Sequence, residues 1–311
     1  MDVINQVLVI FLLMFTGFIC AKIKLIGREE ANRFSSFILN LTLPAMQVTA
    51  LQRPFSPELL GECGTVLLIS LGMHIFFFVL AFLYPRLIGM SGPERGVHRY
   101  AIIFSNSGFI GYPMVEAVLG PAYLFHAVVF NIPFNFLAYS IGAWLISKEG
   151  KRGLSLSWKT FINPTFTAAF LGFLFFIGSV SLSPPLYRTI KMIGDITAPL
   201  SMIVIGVTLA QADFRRIFGS RRLYLTTAMR LVIAPALWVC LCGAAGIRGP
   251  VLTLTALIAA MPAGSTTSIL ASIYDVSAEE GSCLVFLSTL FCVVTIPLMV
   301  LALTRIFLYI F

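Results

Sequence analysis

Apolar runs long enough to cross a lipid bilayer make up most of this 311-residue chain. A helix needs about 20 apolar residues to span the hydrocarbon core. Only 11% of the residues are charged, where a soluble domain carries about 25%. The sequence therefore predicts an all-α polytopic membrane protein. Its ten predicted spans are residues 3–21, 33–51, 65–90, 97–118, 121–147, 161–180, 188–211, 223–246, 250–273 and 283–310.

Lysine and arginine are distributed unevenly between the loops that connect these spans. Counted along alternate loops, 15 lie on one side of the membrane and 5 on the other. Cytoplasmic loops carry the excess of basic residues, so the sequence predicts that both termini lie outside the cytoplasm. The N-terminal run has Asp2 and no basic residue before it, which favours a retained first helix over a signal peptide. The predicted location is the inner or plasma membrane, and the net charge of +8 then requires no nucleic-acid partner.

Two of the predicted spans are interrupted by polar residues, glycine and proline. The first interruption runs from Ser105 to Pro113 and the second from Ala260 to Ser268, at an offset of 155 residues. Proline removes a backbone donor, and glycine tolerates unusual backbone angles. Freed backbone groups cannot face lipid, and paired broken helices half a chain apart are typical of transporter binding sites. We therefore predict that the fourth and ninth spans, residues 97–118 and 250–273, form helices 4 and 9 that are broken at a binding site. The alternative is two proline kinks that serve packing alone.

A weak internal repeat supports a duplicated architecture. Asn40–Pro44 in the second span resembles Asp195–Pro199 in the seventh, again at an offset of 155 residues. With five spans in each half, the two halves enter the membrane from opposite sides, so the repeat has to be inverted. The predicted organisation is a first repeat at 1–147, a short cytoplasmic linker at 148–160 and a second repeat at 161–311.

Three motifs give the chain a resemblance to the auxin efflux carrier family: residues 106–113, residues 259–263 and residues 40–44. The resemblance implies ten helices in a 5+5 inverted repeat, with broken helices 4 and 9 that cross. It also implies a scaffold of helices 1, 2, 6 and 7 and a moving transport domain of helices 3–5 and 8–10. The short 148–160 loop is similar to that of a bacterial-type member.

The helix breaks supply the predicted substrate site. N-terminal ends of half-helices attract anions, unwound carbonyls attract cations, and amide and hydroxyl side chains can bind a carboxylate. The alternative for these side chains is that they only satisfy broken backbone. The predicted substrate-binding residues are Ser105, Asn106, Ser107, Gly108, Gly111, Pro113, Asn131, Asn135, Pro262, Gly264, Ser265 and Thr266.

Ionisable groups inside the predicted spans are candidates for coupling or gating. Asp195, together with Asn40 at the matching position of the first repeat, is the first candidate; the alternative is an i,i+4 pair of Asp195 with Lys191. Glu116 is expected at a solvated position. For Arg230 we favour snorkelling to the membrane surface over a role as the partner of a substrate carboxylate.

Enzyme and metal chemistry have little support in the sequence. His74, His98 and His126 lack the spacing of metal ligands, and no motif for ATP or metalloprotease chemistry is present. We predict a secondary transporter, not an enzyme, with no cofactor or metal. It would move a small organic anion, an auxin-like or malate-like carboxylate, by alternating access, with H⁺ or Na⁺ as the coupling ion left open. The alternatives are an anion channel or a receptor on the same fold; a homodimer is also left open.

Overall fold

The computed structural model describes residues 3–150, 163–211 and 220–310, the last seven of these as backbone only. Of the predicted linker, residues 151–160 lie outside this part of the chain. The described residues are helical apart from loops and one isolated β-bridge. The α-helices are α1 (Val3–Lys22), α2 (Arg28–Phe37), α3 (Leu43–Ala50), α4 (Pro57–Leu87), α5 (Glu94–Ile103), α6 (Tyr112–Leu119), α7 (Leu124–Leu137), α8 (Ala143–Ser147), α9 (Pro164–Ile177), α10 (Pro184–Asp195), α11 (Thr197–Ala210), α12 (Arg221–Ala228), α13 (Ala234–Ala244), α14 (Gly249–Ala260), α15 (Thr266–Ile273) and α16 (Ala278–Ile310).

Six helical stretches of the described chain are long and apolar enough to cross a membrane. The other four predicted spans contain helices that are shorter, interrupted or more charged: α2–α3, α5–α6, α9 and α14–α15. The chain is thus a multi-pass membrane protein, and the count of ten spans stays a prediction. The six stretches are Val3–Lys22, Pro57–Leu87, Pro121–Ser147, Pro184–Ala210, Arg221–Ala244 and Ala278–Leu303.

Widened π-helical turns precede three of the prolines. The turns Ile38–Thr42, Ser107–Gly111 and Met229–Ile233 each end two residues before a proline, at Pro44, Pro113 and Pro235 respectively. A proline ring clashes with the carbonyl of residue i−4 and removes its hydrogen bond. A wider turn accommodates that ring without ending the helix, so these helices continue through their prolines.

The chain divides into two compact units, and the first contains Met1–Ile69, Gly108–Asn135 and Trp158–Ala212. Within it α1 packs against α11, and α3 packs against α9 and α10. Glycines form the close contacts between these helices. A Cβ atom at Gly206 would collide with the Met14 carbonyl, and one at Gly172 would lie 2.8 Å from Leu51 Cδ1. Small residues let helix backbones approach closely, which increases the van der Waals packing between helices in lipid.

The second unit contains Ser70–Ser107, Phe136–Ser157 and Asp213–Phe311. Here α16 packs against α12, α14 and α15, and α5 packs against α8 and α15. Aromatic side chains fill its interior, with the Tyr100 and Phe104 ring centroids 4.5 Å apart. Both interrupted segments predicted from the sequence contribute to this unit, since it contains residues 104–107 and 261–265. The division into two sequence repeats, with a scaffold and a transport domain, stays a prediction.

Candidate functional site

The two helix breaks pair with each other inside the second unit. Helix α5 ends at Ile103, and Phe104 takes an extended conformation. The Asn106 N–H donates to the Pro262 carbonyl at 2.7 Å, and the Gly264 N–H donates to the Phe104 carbonyl at 3.0 Å. Ser105 and Ala263 form an antiparallel bridge between these two bonds. The breaks therefore satisfy each other's backbone, as required inside a membrane protein.

A side chain that the sequence did not single out supports the bridge. Ser288 of α16 is buried and accepts the Ala263 N–H through its Oγ at 3.1 Å. Gly264 lies close to the opposite segment, because a Cβ atom there would lie 3.0 Å from the Ser105 carbonyl oxygen. The polar break in α14–α15 is thus held by backbone, by a glycine and by a serine from a third helix.

The predicted site residues of the second unit differ in exposure. Ser105, Asn106, Ser107, Pro262 and Gly264 are buried, Thr266 is half-buried and Ser265 is exposed. The structure thus places seven of the twelve predicted substrate-binding residues in one unit, although Ser265 faces outward.

Helix α15 begins beside the bridge with two threonines. The hydroxyl oxygens of Thr266 and Thr267 are buried and have no hydrogen-bond partner among the described residues. The Tyr100 hydroxyl lies beside Thr266 without a hydrogen bond of standard geometry. Buried hydroxyls without partners are costly unless a ligand or water satisfies them, and the positive end of a helix dipole favours an anion there.

Arg230 is buried at the breaks, and the interpretation that it snorkels is wrong. Arg230 is only 1% exposed. Its Nε donates to the Met261 carbonyl at 3.0 Å and its Nη1 donates to the Ile102 carbonyl at 2.8 Å. The guanidinium carbon also lies 5.0 Å from the Phe77 ring centroid, a cation–π distance. These bonds hold the guanidinium inside the unit, where snorkelling would take it to the surface.

The remaining predicted substrate-binding residues, Gly108, Gly111, Pro113, Asn131 and Asn135, belong to the first unit. Asn131 is buried, and neither polar atom of its amide has a hydrogen-bond partner among the described residues. Asn135 is half-buried and donates to the Asn131 carbonyl at 3.1 Å. Their part in substrate binding stays a prediction.

Two further polar residues of the first unit were missed from the sequence. Gln47 of α3 is fully buried, and its Nε2 donates to the Tyr112 hydroxyl at 3.1 Å. The Asn131 amide lies near the same hydroxyl. An amide within an apolar span was the available signal for Gln47, because a buried amide in lipid needs a partner.

The candidate coupling residues lie at exposed positions. The Asp195 side chain is 59% exposed, and both of its carboxylate oxygens accept from Lys191 Nζ at 2.8 Å. Glu116 lies close enough to this pair to interact with it electrostatically, and it is half-buried. Asn40 is exposed and donates to the Ser36 carbonyl. The structure therefore contains the Lys191 pair that was the alternative for Asp195, and the coupling role of Asp195 and Asn40 stays a prediction.

The histidines make hydrogen bonds to other side chains or to backbone. His98 is buried between Thr226 Oγ1, 2.6 Å from its Nδ1, and Glu280 Oε1, 3.0 Å from its Nε2. His126 contacts Glu62 at 2.8 Å, and His74 Nδ1 lies 2.7 Å from the Ser70 carbonyl. Among the described residues no three histidine, cysteine, aspartate or glutamate side chains form a group that could hold a metal ion.

Several apolar helices, two of them broken at polar segments that pair backbone to backbone, define a membrane protein of the transporter class. The family model described as "Membrane transport protein" matches residues 2–300, and the chain belongs to that family. This confirms the resemblance to the auxin efflux carriers.

Relatives match over nearly their whole length. An "Uncharacterized transporter" of Methanothermobacter thermautotrophicus is 26% identical over 94% of this chain and 96% of its own. A "Putative malonate transporter" of Rhizobium meliloti is 23% identical over 95% of this chain and 94% of its own. The "Uncharacterized transporter YfdV" of Escherichia coli is 23% identical over 95% of this chain and 96% of its own.

Proposed function

We propose that this membrane transporter is a secondary carrier for a small organic anion with a carboxylate group, and that the anion binds at the paired breaks of α5–α6 and α14–α15. The observation that carries the proposal is the bridge of Ser105 and Ala263 with a buried arginine beside it. A malonate-like dicarboxylate is the first substrate to test, because one relative carries the name "Putative malonate transporter".

The charges around the breaks favour an anion over a cation. Residues 95–115 and 250–274 contain no aspartate or glutamate. The N-terminus of α15 supplies a partial positive charge, and Arg230 offsets the negative C-terminal ends of α5 and α14 that would otherwise repel an anion. Asn106 and Thr266 can donate hydrogen bonds to a carboxylate. A cation at the same place would find no carboxylate within either of these two segments to neutralise it.

We also propose the 5+5 inverted repeat. Gly17 and Gly172 are 155 residues apart, and each lies at a close helix–helix contact, Gly17 against Ile203 and Gly172 against Leu51. Thr42 and Thr197 share the same offset, and both are fully buried. These pairs support a duplicated structure, since each repeat would place equivalent residues in equivalent surroundings.

Uptake into proteoliposomes tests the carrier proposal. We expect saturable uptake of labelled malonate that is accelerated when unlabelled malonate is loaded inside, because a carrier exchanges its substrate across the membrane. Protein-free liposomes and an excess of an uncharged analogue, malonamide, serve as controls. Ohmic currents without saturation would indicate the channel alternative. Binding without flux would indicate the receptor, and no response to any small carboxylate would contradict the proposal.

A further inference from the structure

Arg230 connects the C-terminal ends of the two half-helices that precede the breaks. Ile102, which accepts from Nη1, lies in the last turn of α5, and Met261, which accepts from Nε, follows the last residue of α14. No carboxylate of the described residues forms an ion pair with this guanidinium. The partners of its charge are therefore backbone carbonyls and the face of the Phe77 ring.

These carbonyls are the groups that would attract a metal cation at a helix break. The C-terminal end of a helix carries about half a negative charge, so the ends of α5 and α14 together present about one. Unwound carbonyls and half-helix C-termini coordinate Na⁺ in carriers with broken helices. An arginine remains protonated at physiological pH, so its single positive charge balances these ends permanently.

We propose that Arg230 is a built-in counter-cation that takes the place of a coupling Na⁺, so that this chain moves its anion without sodium. The guanidinium uses the carbonyl oxygens that a Na⁺ ion would need, and its charge disfavours a second cation beside it. The part of this inference that concerns transport rests on the proposed function; the part that concerns the cation site does not.

Thermal unfolding of the purified protein in detergent tests the cation site without any substrate. For the unaltered protein we expect the same Tm in NaCl, KCl and choline chloride. For Arg230→Ala we expect a Tm lower by roughly 5–15 °C, because two buried backbone carbonyls lose the donor that they bind. We expect about 10 mM guanidinium, far below denaturing concentrations, to restore part of that loss.

Two controls make the rescue specific. Urea has nearly the shape of guanidinium without its charge, so it should not restore Arg230→Ala. Arg222→Ala removes a more exposed arginine of the same unit, one that pairs with Glu94 at 2.7 Å, and guanidinium should not restore it. A saturable rise in Tm with Na⁺ in the unaltered protein would overturn the inference, even if Arg230→Ala does not fold. Equal effects of urea and guanidinium on a folded Arg230→Ala would overturn it as well.

Transport provides the second measurement. Malonate uptake by the unaltered protein should be the same when external Na⁺ is replaced by choline, and in Arg230→Gln any residual uptake should become dependent on Na⁺. Uptake that requires a Na⁺ gradient in the unaltered protein would overturn the inference. Absence of malonate uptake in every condition would contradict the proposed substrate instead, and the unfolding measurements would still decide the role of Arg230.

Discussion

The two glycines Gly264 and Gly108 occupy different surroundings, although each lies in one of the breaks. A Cβ atom at Gly264 would lie 3.0 Å from the Ser105 carbonyl oxygen, whereas one at Gly108 would make an ordinary contact of 3.5 Å with Leu43. We expect Gly264→Ala to lower the Tm by about 2–10 °C and to slow uptake, because overpacking against backbone costs about 1–3 kcal/mol. Gly108→Ala is the matched control for stability and should leave the Tm nearly unchanged. Equal effects of the two changes would contradict a specific role for Gly264.

The backbone N–H of Asn106 donates to the Pro262 carbonyl. A substitution that changes only the side chain of Asn106 leaves this bond in place. We expect Asn106→Ala to fold, and to bind malonate roughly 5- to 150-fold more weakly, since a lost partner of a bound carboxylate costs about 1–3 kcal/mol. The concentration dependence of uptake measures this. Asn32→Ala, at an exposed position of α2, is the control. Uptake by Asn106→Ala with unaltered affinity would place the anion elsewhere.

Asp195 tests whether an exposed ion pair takes part in coupling. An i,i+4 pair of this kind is worth about 0.2–0.5 kcal/mol, so as a structural pair it can be lost with little effect on Tm. If Asp195 is a coupling residue, as the sequence predicts, Asp195→Asn changes the pH dependence of uptake, and Lys191→Gln, which breaks the same pair, does not. Identical pH profiles for both variants and the unaltered protein would exclude the coupling role.

At the residue scale, the sequence predicts which residues interrupt the helices. It does not predict which groups form hydrogen bonds to the interrupted segments. Ser105, Asn106 and Pro262 were identified because polar residues and proline within an apolar helix cost free energy unless they have a structural or functional role. The role of Arg230 could not be predicted, because its acceptors lie 31 and 128 residues away along the chain. Ser288 was missed for the same reason, since a lone serine in an apolar helix gives no sign that a distant N–H needs it.

At the scale of the helices, close glycine contacts in the first unit hold α1 against α11. We expect Gly206→Ala to lower the Tm, since its Cβ would collide with the Met14 carbonyl. Gly61→Ala in α4 is the control, because no atom lies within 4 Å of its added Cβ. There the gain in helix propensity, up to about 1 kcal/mol, predicts an equal or higher Tm. A Tm that falls equally in both would mean that the α1–α11 contact does not limit stability.

The sequence did not predict how the helices accommodate their prolines. Pro44 and Pro113 lie in motifs identified from the sequence, but the widened turns before them and before Pro235 were not predicted. A proline in a helix can produce a kink, an end or a π-turn, and only the surrounding packing selects among these. Helix α9 is also shorter than predicted, because it has 14 residues where the sequence predicts a span over residues 161–180.

At the scale of the whole molecule, the two compact units do not follow the two sequence halves. The chain passes from one unit to the other within α4, within the break after α5 and between Asn135 and Phe136 of α7. A boundary inside a helix has no glycine-rich or charged linker to mark it, so composition cannot reveal it. The predicted sequence repeat, by contrast, rests on residues that recur at a constant offset.

The predicted orientation of the whole chain rests on the distribution of basic residues, and labelling can test it. Ser91 lies in a loop on the predicted cytoplasmic side and Ser181 in a loop on the opposite side; both are exposed. In a variant in which the six native cysteines are replaced, we expect a membrane-impermeant maleimide to label Ser181→Cys on intact cells. Ser91→Cys should be labelled only after the membrane is permeabilised, because the excess of lysine and arginine retains its loop in the cytoplasm. The reverse pattern would invert the orientation, and labelling of both sites on intact cells would contradict the predicted alternation of spans.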